Sequence, residues 1–237
     1  MEEGQVRNAF IQALRGTAAP LIAEIKPFSP EYGDLLRGRF PVEIARHYVA
    51  QGAACLSVTT GRWHQGSLAL LQQIAEAVPA PILRKDFITR TVQLRESREA
   101  GAEAVLLSAQ LLRRQDILRL AEQALNQGLT PFIEASEVTQ LDGLHLPGGS
   151  VLAVCNRDIR QQEKDNGTVD HSLALYSLAR GCGAELLVSA SAMRDPHDAV
   201  RALSAGYDAV LIGSALLMAQ SGVEQTTASF IQALTMR

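Results

Sequence analysis

Short apolar runs recur along the chain about every 27 residues, and the stretches between them have helical character. Each run is followed by a polar turn, a pattern typical of strands buried on both faces of a parallel sheet. The runs predict eight strands, at Leu21–Ile25, Ala54–Val58, Pro81–Leu83, Ala104–Leu107, Pro131–Glu134, Val151–Val154, Glu185–Ser189 and Ala209–Ile212. Eight strand–helix units close an α/β barrel, so the pattern predicts a (βα)8 TIM barrel rather than an open doubly wound sheet.

The segments between the runs carry the expected helix signals. One segment has apolar residues spaced three and four positions apart, on a face that would pack against the barrel. These residues are Ile117, Leu120, Ala121, Ala124 and Leu125. Five runs are preceded by a glycine, which in a left-handed conformation ends a helix and turns the chain back into the sheet. These glycines are Gly52, Gly101, Gly128, Gly183 and Gly206.

No linker composition divides the chain, so we expect a single domain over residues 1–237. Within it, residues 1–19 form a short N-terminal helical extension, 20–220 the barrel and 221–237 a C-terminal helix. The polar segment Ile159–Thr168 is interpreted as a loop or short lid.

The composition of the chain excludes several classes of binding partner. The chain is 47% hydrophobic and 20% charged, with 22 Lys+Arg against 25 Asp+Glu and no dense basic run, which argues against nucleic acid. Apolar stretches such as Ala209–Met218 are too short to cross a bilayer, so we expect no membrane association and a cytoplasmic location. The three cysteines and five histidines lack the spacing of a disulfide framework or a zinc site, so no metal is expected.

Charged residues gather where three of the predicted strands end. Alternation places Glu24 and Lys26 on the same, inward side of the first strand, Lys85 ends the third and Glu134 ends the fifth. Because catalytic groups of these barrels lie at the C-terminal ends of the strands, these four side chains are candidates for acid–base chemistry. The alternative is that they form ion pairs at the rim of the barrel.

Small polar residues follow the last two strands. Ser189–Ser191 come after the seventh, and Gly213 and Ser214 after the eighth, where barrels of this type often bind phosphate. The implied ligand is a phosphorylated small molecule. The alternative is that Gly213 and Ser214 only cap the last barrel helix.

Several blocks in this order resemble the indole-3-glycerol-phosphate synthase family, from about residue 20 to 218. The blocks are Ile22–Lys26 with Ser29-Pro30, Ser57–Thr60 with Gly66–Leu68, Leu83–Ile88, Ala100–Leu107, Asn156–Asp158, Val188-Ser189 and Ala209–Leu216. The blocks Leu83–Ile88 and Ile22–Lys26 are specific to the family, whereas Ala209–Ser214 has counterparts in many phosphate-binding barrels. The resemblance implies a (βα)8 carbon–carbon lyase of tryptophan biosynthesis that needs no cofactor.

The resemblance also implies roles for the charged residues. Lys85 would be the general acid on the ketone oxygen during ring closure, and Glu134 would hold the substrate amine and assist proton transfer. Glu24 and Lys26 would serve dehydration and phosphate contact.

The resemblance implies that further residues contact the ligand. The substrate-binding set is Ser29, His64, Phe87, Cys155, Asn156 and Arg157, with Ser29 and Arg157 on the carboxylate side. The phosphate-binding set is Lys26, Ser191, Ala192, Gly213 and Ser214.

The sequence departs from the family at sites around the substrate. Ala190 replaces a glutamate, Ala192 a glycine, Cys155 an asparagine and His64 a phenylalanine, and the turn after Ser29-Pro30 reads Glu31-Tyr32 instead of serine–lysine. Three hypotheses therefore stay open: a lyase acting on a carboxyphenylamino-deoxyribulose phosphate, a diverged paralogue in a specialised-metabolite pathway, and a non-catalytic phosphosugar-binding barrel. As an assembly we expect a monomer or small homo-oligomer.

Overall fold

The computed structural model describes residues 8–157 and 167–237. Its centre is a closed barrel of eight parallel strands. The barrel strands are β1 (Leu21–Ile25), β4 (Cys55–Thr59), β5 (Ile82–Lys85), β6 (Ala104–Ser108), β7 (Thr130–Ala135), β8 (Val151–Cys155), β9 (Leu186–Ala190) and β10 (Ala209–Ile212). Their order around the ring is β1-β10-β9-β8-β7-β6-β5-β4. The predicted barrel is confirmed, and each of the eight apolar runs overlaps one of its strands.

Two short strands that the apolar pattern did not predict form an antiparallel hairpin directly after β1. They are β2 (Phe28–Ser29) and β3 (Gly33–Asp34), and Ser29 pairs with Gly33. Their side chains are too few and too mixed in polarity to give a period-2 signal. The hairpin lies at the C-terminal end of the barrel, because it continues from the end of β1.

Helices pack around the barrel and at its floor, and one of them uses the predicted apolar face. They are α1 (Ala9–Arg15), α2 (Pro41–Ala50), α3 (Leu68–Ala77), α4 (Thr91–Glu99), α5 (Arg114–Asn126), α6 (Val138–Leu141), α7 (Asp170–Arg180), α8 (Pro196–Ser204), α9 (Ser214–Met218) and α10 (Val223–Thr235). In α5, Ile117, Leu120, Ala121 and Ala124 are buried against the barrel. The five glycines before the strands all have positive φ, from +72° to +107°, which confirms the predicted turns.

Alternation along each strand separates an inner from an outer layer of side chains. In β1, Leu21, Ala23 and Ile25 pack outward against the helices, whereas Ile22 points into the barrel. The interior is apolar at its lower and middle levels, with Cys55, Leu83, Leu106, Phe132, Val151, Val188 and Leu211. Inward-facing charged groups are therefore confined to the C-terminal ends of the strands.

Helix α1 closes the other end of the barrel. Its residues Phe10, Ile11 and Leu14 are buried in the interior cluster, and the ring of Phe10 meets Phe132 edge-on at 6.2 Å between centroids. Asn8 caps the helix by accepting a hydrogen bond from the backbone N–H of Ile11. The predicted N-terminal helix is thus a plug for the barrel floor.

The predicted loop or lid at Ile159–Thr168 falls almost wholly outside the described residues. Among the helices that are described, none is long and apolar enough to cross a membrane.

Candidate active site

Two neighbouring cavities open at the C-terminal ends of the strands. The larger, with about 820 Å³ of open space, is lined by residues that follow β1, β9 and β10. The smaller, with about 460 Å³, is lined by residues at the ends of β5, β7 and β8 and by the loop after β4. Arg157 and Ser191 line both, so the two cavities form one continuous site.

The four charged residues predicted from the strand ends meet in one cluster. Lys85 Nζ lies 3.0 Å from Glu24 Oε2 and 4.0 Å from Glu134 Oε2, and Lys26 Nζ lies 3.7 Å from Glu24 Oε1. Each has a side chain no more than 14% exposed. The predicted convergence of these groups at the barrel mouth is therefore present in the structure.

Glu24 is the electrostatic centre of this cluster. Burial alone would raise the pKa of its carboxyl, but the positive charges of Lys85 and Lys26 and the hydrogen bond from Lys85 lower it to about 2. Ser57 also contacts the carboxylate, at 3.4 Å from Oγ to Oε2. A Cβ on Gly213 would come within 2.7 Å of Glu24 Oε1, so only glycine leaves room for the carboxylate there.

Aromatic rings form one wall of the smaller cavity. Trp63 stacks on Phe87 with 5.3 Å between ring centroids and an interplanar angle of 17°, and the His64 ring lies 3.8 Å from Trp63. His64 Nδ1 is 2.8 Å from the carbonyl oxygen of Phe28, which ties this wall to the β2–β3 hairpin. A flat aromatic wall of this kind offers a surface on which an aromatic ring can pack.

Cys155 lies on the opposite side of the smaller cavity. Its Sγ is 3.7 Å from the Ser191 hydroxyl oxygen, and burial together with the nearby Glu134 carboxylate raises the pKa of the thiol to about 12. The thiol is therefore protonated at neutral pH and is a weak donor, not a nucleophile. Ala190 pairs with Cys155 in the sheet, but it is fully buried in the interior cluster and does not line the cavity, so this wall carries the thiol alone.

The predicted phosphate-binding residues line the larger cavity together. Lys26, Ser191, Ala192, Gly213 and Ser214 all border it, joined by Met193 and Arg194, which the sequence did not single out, and by Tyr32, which it marked only as a departure from the family. Ser191 and Ala192 both have left-handed backbone conformations, with φ of +67° and +54°. This turn presents both residues to the cavity.

Two predicted substrate contacts are not among the residues lining either cavity. The Asn156 amide donates to Ser189 Oγ and the Ser191 carbonyl, and its oxygen accepts from the Ser172 N–H and hydroxyl. Ser29 is fully buried and its hydroxyl accepts the N–H of Glu31. Both side chains thus shape the loops around the site, because their polar atoms are committed to the protein.

Arg157 is held across the mouth by the hairpin. Its Nη1 lies 2.5 Å from Glu31 Oε2, its Nη2 donates to the Tyr32 hydroxyl at 3.3 Å, and its guanidinium lies 6.0 Å from the centre of the Tyr32 ring. Burial alone would lower the pKa of Arg157. The hydrogen bonds with Tyr32 and Glu31 outweigh this effect and hold the pKa above its ordinary value. The sequence marks Glu31 and Tyr32 only as a departure from the family, because Arg157, the partner of Glu31, lies 126 positions further along the chain.

One group of potential metal ligands lies outside this site, among the residues that the structure describes. It consists of Asp195, His197 and Asp198 at the start of α8. Asp195 caps the helix by accepting the Asp198 N–H, and Asp198 accepts the Arg194 N–H. These carboxylates are explained by their part in the helix start.

Sequence comparison identifies relatives over nearly the whole chain. Residues 3–230 match the family described as indole-3-glycerol phosphate synthase. An indole-3-glycerol phosphate synthase of Pyrococcus furiosus is 36% identical over 206 residues, covering 86% of this chain and 89% of the relative. One of Rhodopirellula baltica is 40% identical over 199 residues, covering 83% and 74%.

Solved structures with little sequence identity have the same fold. The tryptophan synthase alpha subunit of Legionella pneumophila aligns with a TM-score of 0.69 at 14% identity, covering 96% of this chain and 98% of that one. The 3-hexulose-6-phosphate synthase of Salmonella typhimurium aligns with a TM-score of 0.68 at 15% identity, covering 90% and 97%.

Proposed function

The chain belongs to the indole-3-glycerol phosphate synthase family of decarboxylating, ring-closing lyases, and we propose that its substrate is a carboxyphenylamino-deoxyribulose phosphate. In this reaction the ring carbon that bears the carboxylate attacks the ketone carbon, and CO2 leaves to restore the aromatic ring. Loss of the resulting hydroxyl group as water then gives the indole.

The observation that carries this proposal is the position of Lys85 between two carboxylates. Its ammonium group lies 3.0 Å from Glu24 and 4.0 Å from Glu134 and borders the smaller cavity. An ammonium held in this way can donate a proton to the ketone oxygen as the aromatic carbon attacks. Glu134, beside it, accepts the hydrogen bond of the substrate amine. In the dehydration it takes a proton from the methylene carbon next to the nitrogen, so the indole keeps its N–H.

The electrostatics of Glu24 refine the role that the resemblance implies. A carboxylate with a pKa of about 2 is a weak base, so we assign Glu24 the task of holding Lys85 and Lys26 in place. Its negative charge attracts both ammonium groups and so keeps them at the mouth of the barrel.

The two cavities suit the two ends of such a substrate. The aromatic ring packs against the wall of Trp63, His64 and Phe87, with its carboxylate directed to Arg157. The phosphate lies in the larger cavity, against Lys26, Ser191, Ala192, Gly213 and Ser214. Lys26 contributes a positive charge, and the small residues let the phosphate approach the backbone.

Replacing Lys85 tests the proposed acid. Lys85→Met removes the proton donor, and we expect kcat to fall by about 10²- to 10⁴-fold. The measurement is indole fluorescence and CO2 release from carboxyphenylamino-deoxyribulose phosphate.

Lys85→Arg separates acidity from charge. The guanidinium keeps a positive charge beside Glu24 and Glu134, but it does not release a proton at neutral pH. We expect the same loss of kcat, with the melting temperature close to that of the wild type. If Lys85→Arg kept more than about a tenth of the wild-type kcat, Lys85 would act by charge alone and would not be the acid.

A second candidate function is the same chemistry on a related phosphorylated substrate. It is favoured by Cys155, which lines the smaller cavity, and by Ala190, which pairs with it in the sheet, because the family has asparagine and glutamate at these positions. Each lost polar contact weakens binding by about 1–3 kcal/mol, so kcat/KM on the ordinary substrate would be about two to four orders of magnitude below that of a typical synthase.

Restoring the polar pair distinguishes the two candidates. The double variant Ala190→Glu, Cys155→Asn is expected to raise kcat/KM on the ordinary substrate, because it returns a carboxylate and an amide to adjacent strands. Cys155→Ser is the matched control, since it changes the side chain without restoring the amide. Wild-type kcat/KM above about 10⁴ M⁻¹s⁻¹ on the ordinary substrate would overturn the second candidate.

A further inference from the structure

The turn between β2 and β3 carries a carboxylate to the arginine that faces both cavities. Glu31 lies in this turn, and the Ser29 hydroxyl and the His64–Phe28 contact hold the hairpin that presents it. Arg157 follows β8, which lies three strands around the barrel from β1. The ion pair of Glu31 with Arg157 therefore spans the mouth of the barrel.

The pair occupies the part of Arg157 that a ligand carboxylate would use. Nη1 is 2.5 Å from Glu31 Oε2 and Nη2 donates to the Tyr32 hydroxyl. Both side chains of the ion pair are largely shielded, at 18% and 27% exposure, so water screens their attraction less than it would at an open surface. A second carboxylate that takes the same guanidinium edge must first displace that of Glu31.

We propose that Glu31 is a specificity residue that competes with the substrate carboxylate for Arg157. This inference rests on the proposed function. The substrate exchanges one carboxylate for another at the guanidinium, and Glu31 swings toward solvent. Once the substrate carboxylate has left as CO2, Glu31 pairs with Arg157 again.

The exchange gives the site a way to tell substrate from product. A ligand with a carboxylate replaces the negative charge that Glu31 contributes beside Arg157. An indole product has no carboxylate at that position and cannot replace it. Re-formation of the pair therefore favours product release over product retention. The serine that the family carries at this position has no charge with which to compete.

The test measures binding of two small aromatic probes. 2-Aminobenzoate carries ring, amine and carboxylate, and 2-methylaniline has a methyl group in place of the carboxylate. Ligand-observed NMR titration gives the Kd of each probe for the wild type and for Glu31→Gln. We expect Glu31→Gln to tighten 2-aminobenzoate about 3- to 10-fold and to leave 2-methylaniline unchanged.

Two further variants make the readout specific to the pair. Glu43→Gln changes the net charge equally, but it removes an exposed carboxylate that pairs with Arg46, so no change is expected. In an Arg157→Gln background, Glu31→Gln should lose its effect on 2-aminobenzoate, because the group being contested is gone.

Three results would overturn the inference. They are an unchanged or weaker Kd of 2-aminobenzoate in Glu31→Gln, an equal change for both probes, and no binding of 2-aminobenzoate to either protein. Turnover by the wild type is measured separately, so the proposed function can stand when this inference fails.

Discussion

Ala192 is strained at the level of a single residue. Its φ of +54° lies in the left-handed region, which disfavours a residue with a Cβ, and the preceding Ser191 is also left-handed at +67°. The family has glycine at the position of Ala192. The alanine keeps the turn after β9 at the expense of backbone strain.

Ala192→Gly is therefore expected to raise the free energy of unfolding by about 1 kcal/mol, because glycine adopts positive φ without strain. Urea unfolding measures this change. The matched control is Ala205→Gly, where φ is −77° and glycine should destabilise the protein. If both variants lost stability equally, the strain at Ala192 would be relieved by contacts in the native state.

Helix α1 shows how one element acts on the whole barrel. It has only seven residues, too few to be stable alone, yet it inserts Phe10, Ile11 and Leu14 into the barrel floor. Phe10 also provides the carbonyl oxygen that the Cys55 thiol approaches at 3.6 Å. The helix gains its stability from burial and in return closes the core.

We expect Phe10→Ala to lower the free energy of unfolding by about 3–5 kcal/mol, since the lost ring leaves a cavity against Phe132. Because α1 lies at the end opposite the site, KM should stay within about twofold of the wild type below the melting temperature. Chemical unfolding and steady-state kinetics measure the two quantities. A large rise in KM with little loss of stability would show that α1 is coupled to the cavities.

The charge cluster at the barrel mouth affects the stability of the whole molecule. The pKa of Glu24 is lowered from 4.5 to about 2 in the folded protein. The ionised carboxylate therefore stabilises the fold fully above the unfolded value, and this stabilisation is lost as the pH falls from 4.5 toward 2.

Glu24→Gln should accordingly make the free energy of unfolding depend less on pH between pH 4.5 and 2. Urea unfolding of the wild type and the variant is compared at a series of pH values, and their difference should shrink as the pH falls through that window. Glu43→Gln, at an exposed site, should run parallel to the wild type. Parallel curves for Glu24→Gln as well would mean that the lysines do not stabilise the Glu24 carboxylate.

The sequence by itself determined the barrel and the end of it at which the charged residues meet. Buried strands, amphipathic helices and positive-φ glycines are local signals, and parallel closure brings all strand C-termini to one end, so Glu24, Lys85 and Glu134 had to meet there. Residue type and alternation were sufficient for this, because a strand has only two faces.

Only the tertiary structure decided which polar atoms remain available to a ligand. The commitment of Asn156 to Ser172 and Ser189 depends on contacts between separate elements, as does that of Arg157 to Glu31. These pairs join loops that are far apart in the chain, and no local periodicity encodes them. A hydrogen bond forms only at a particular distance and angle, which the packing of the whole barrel sets.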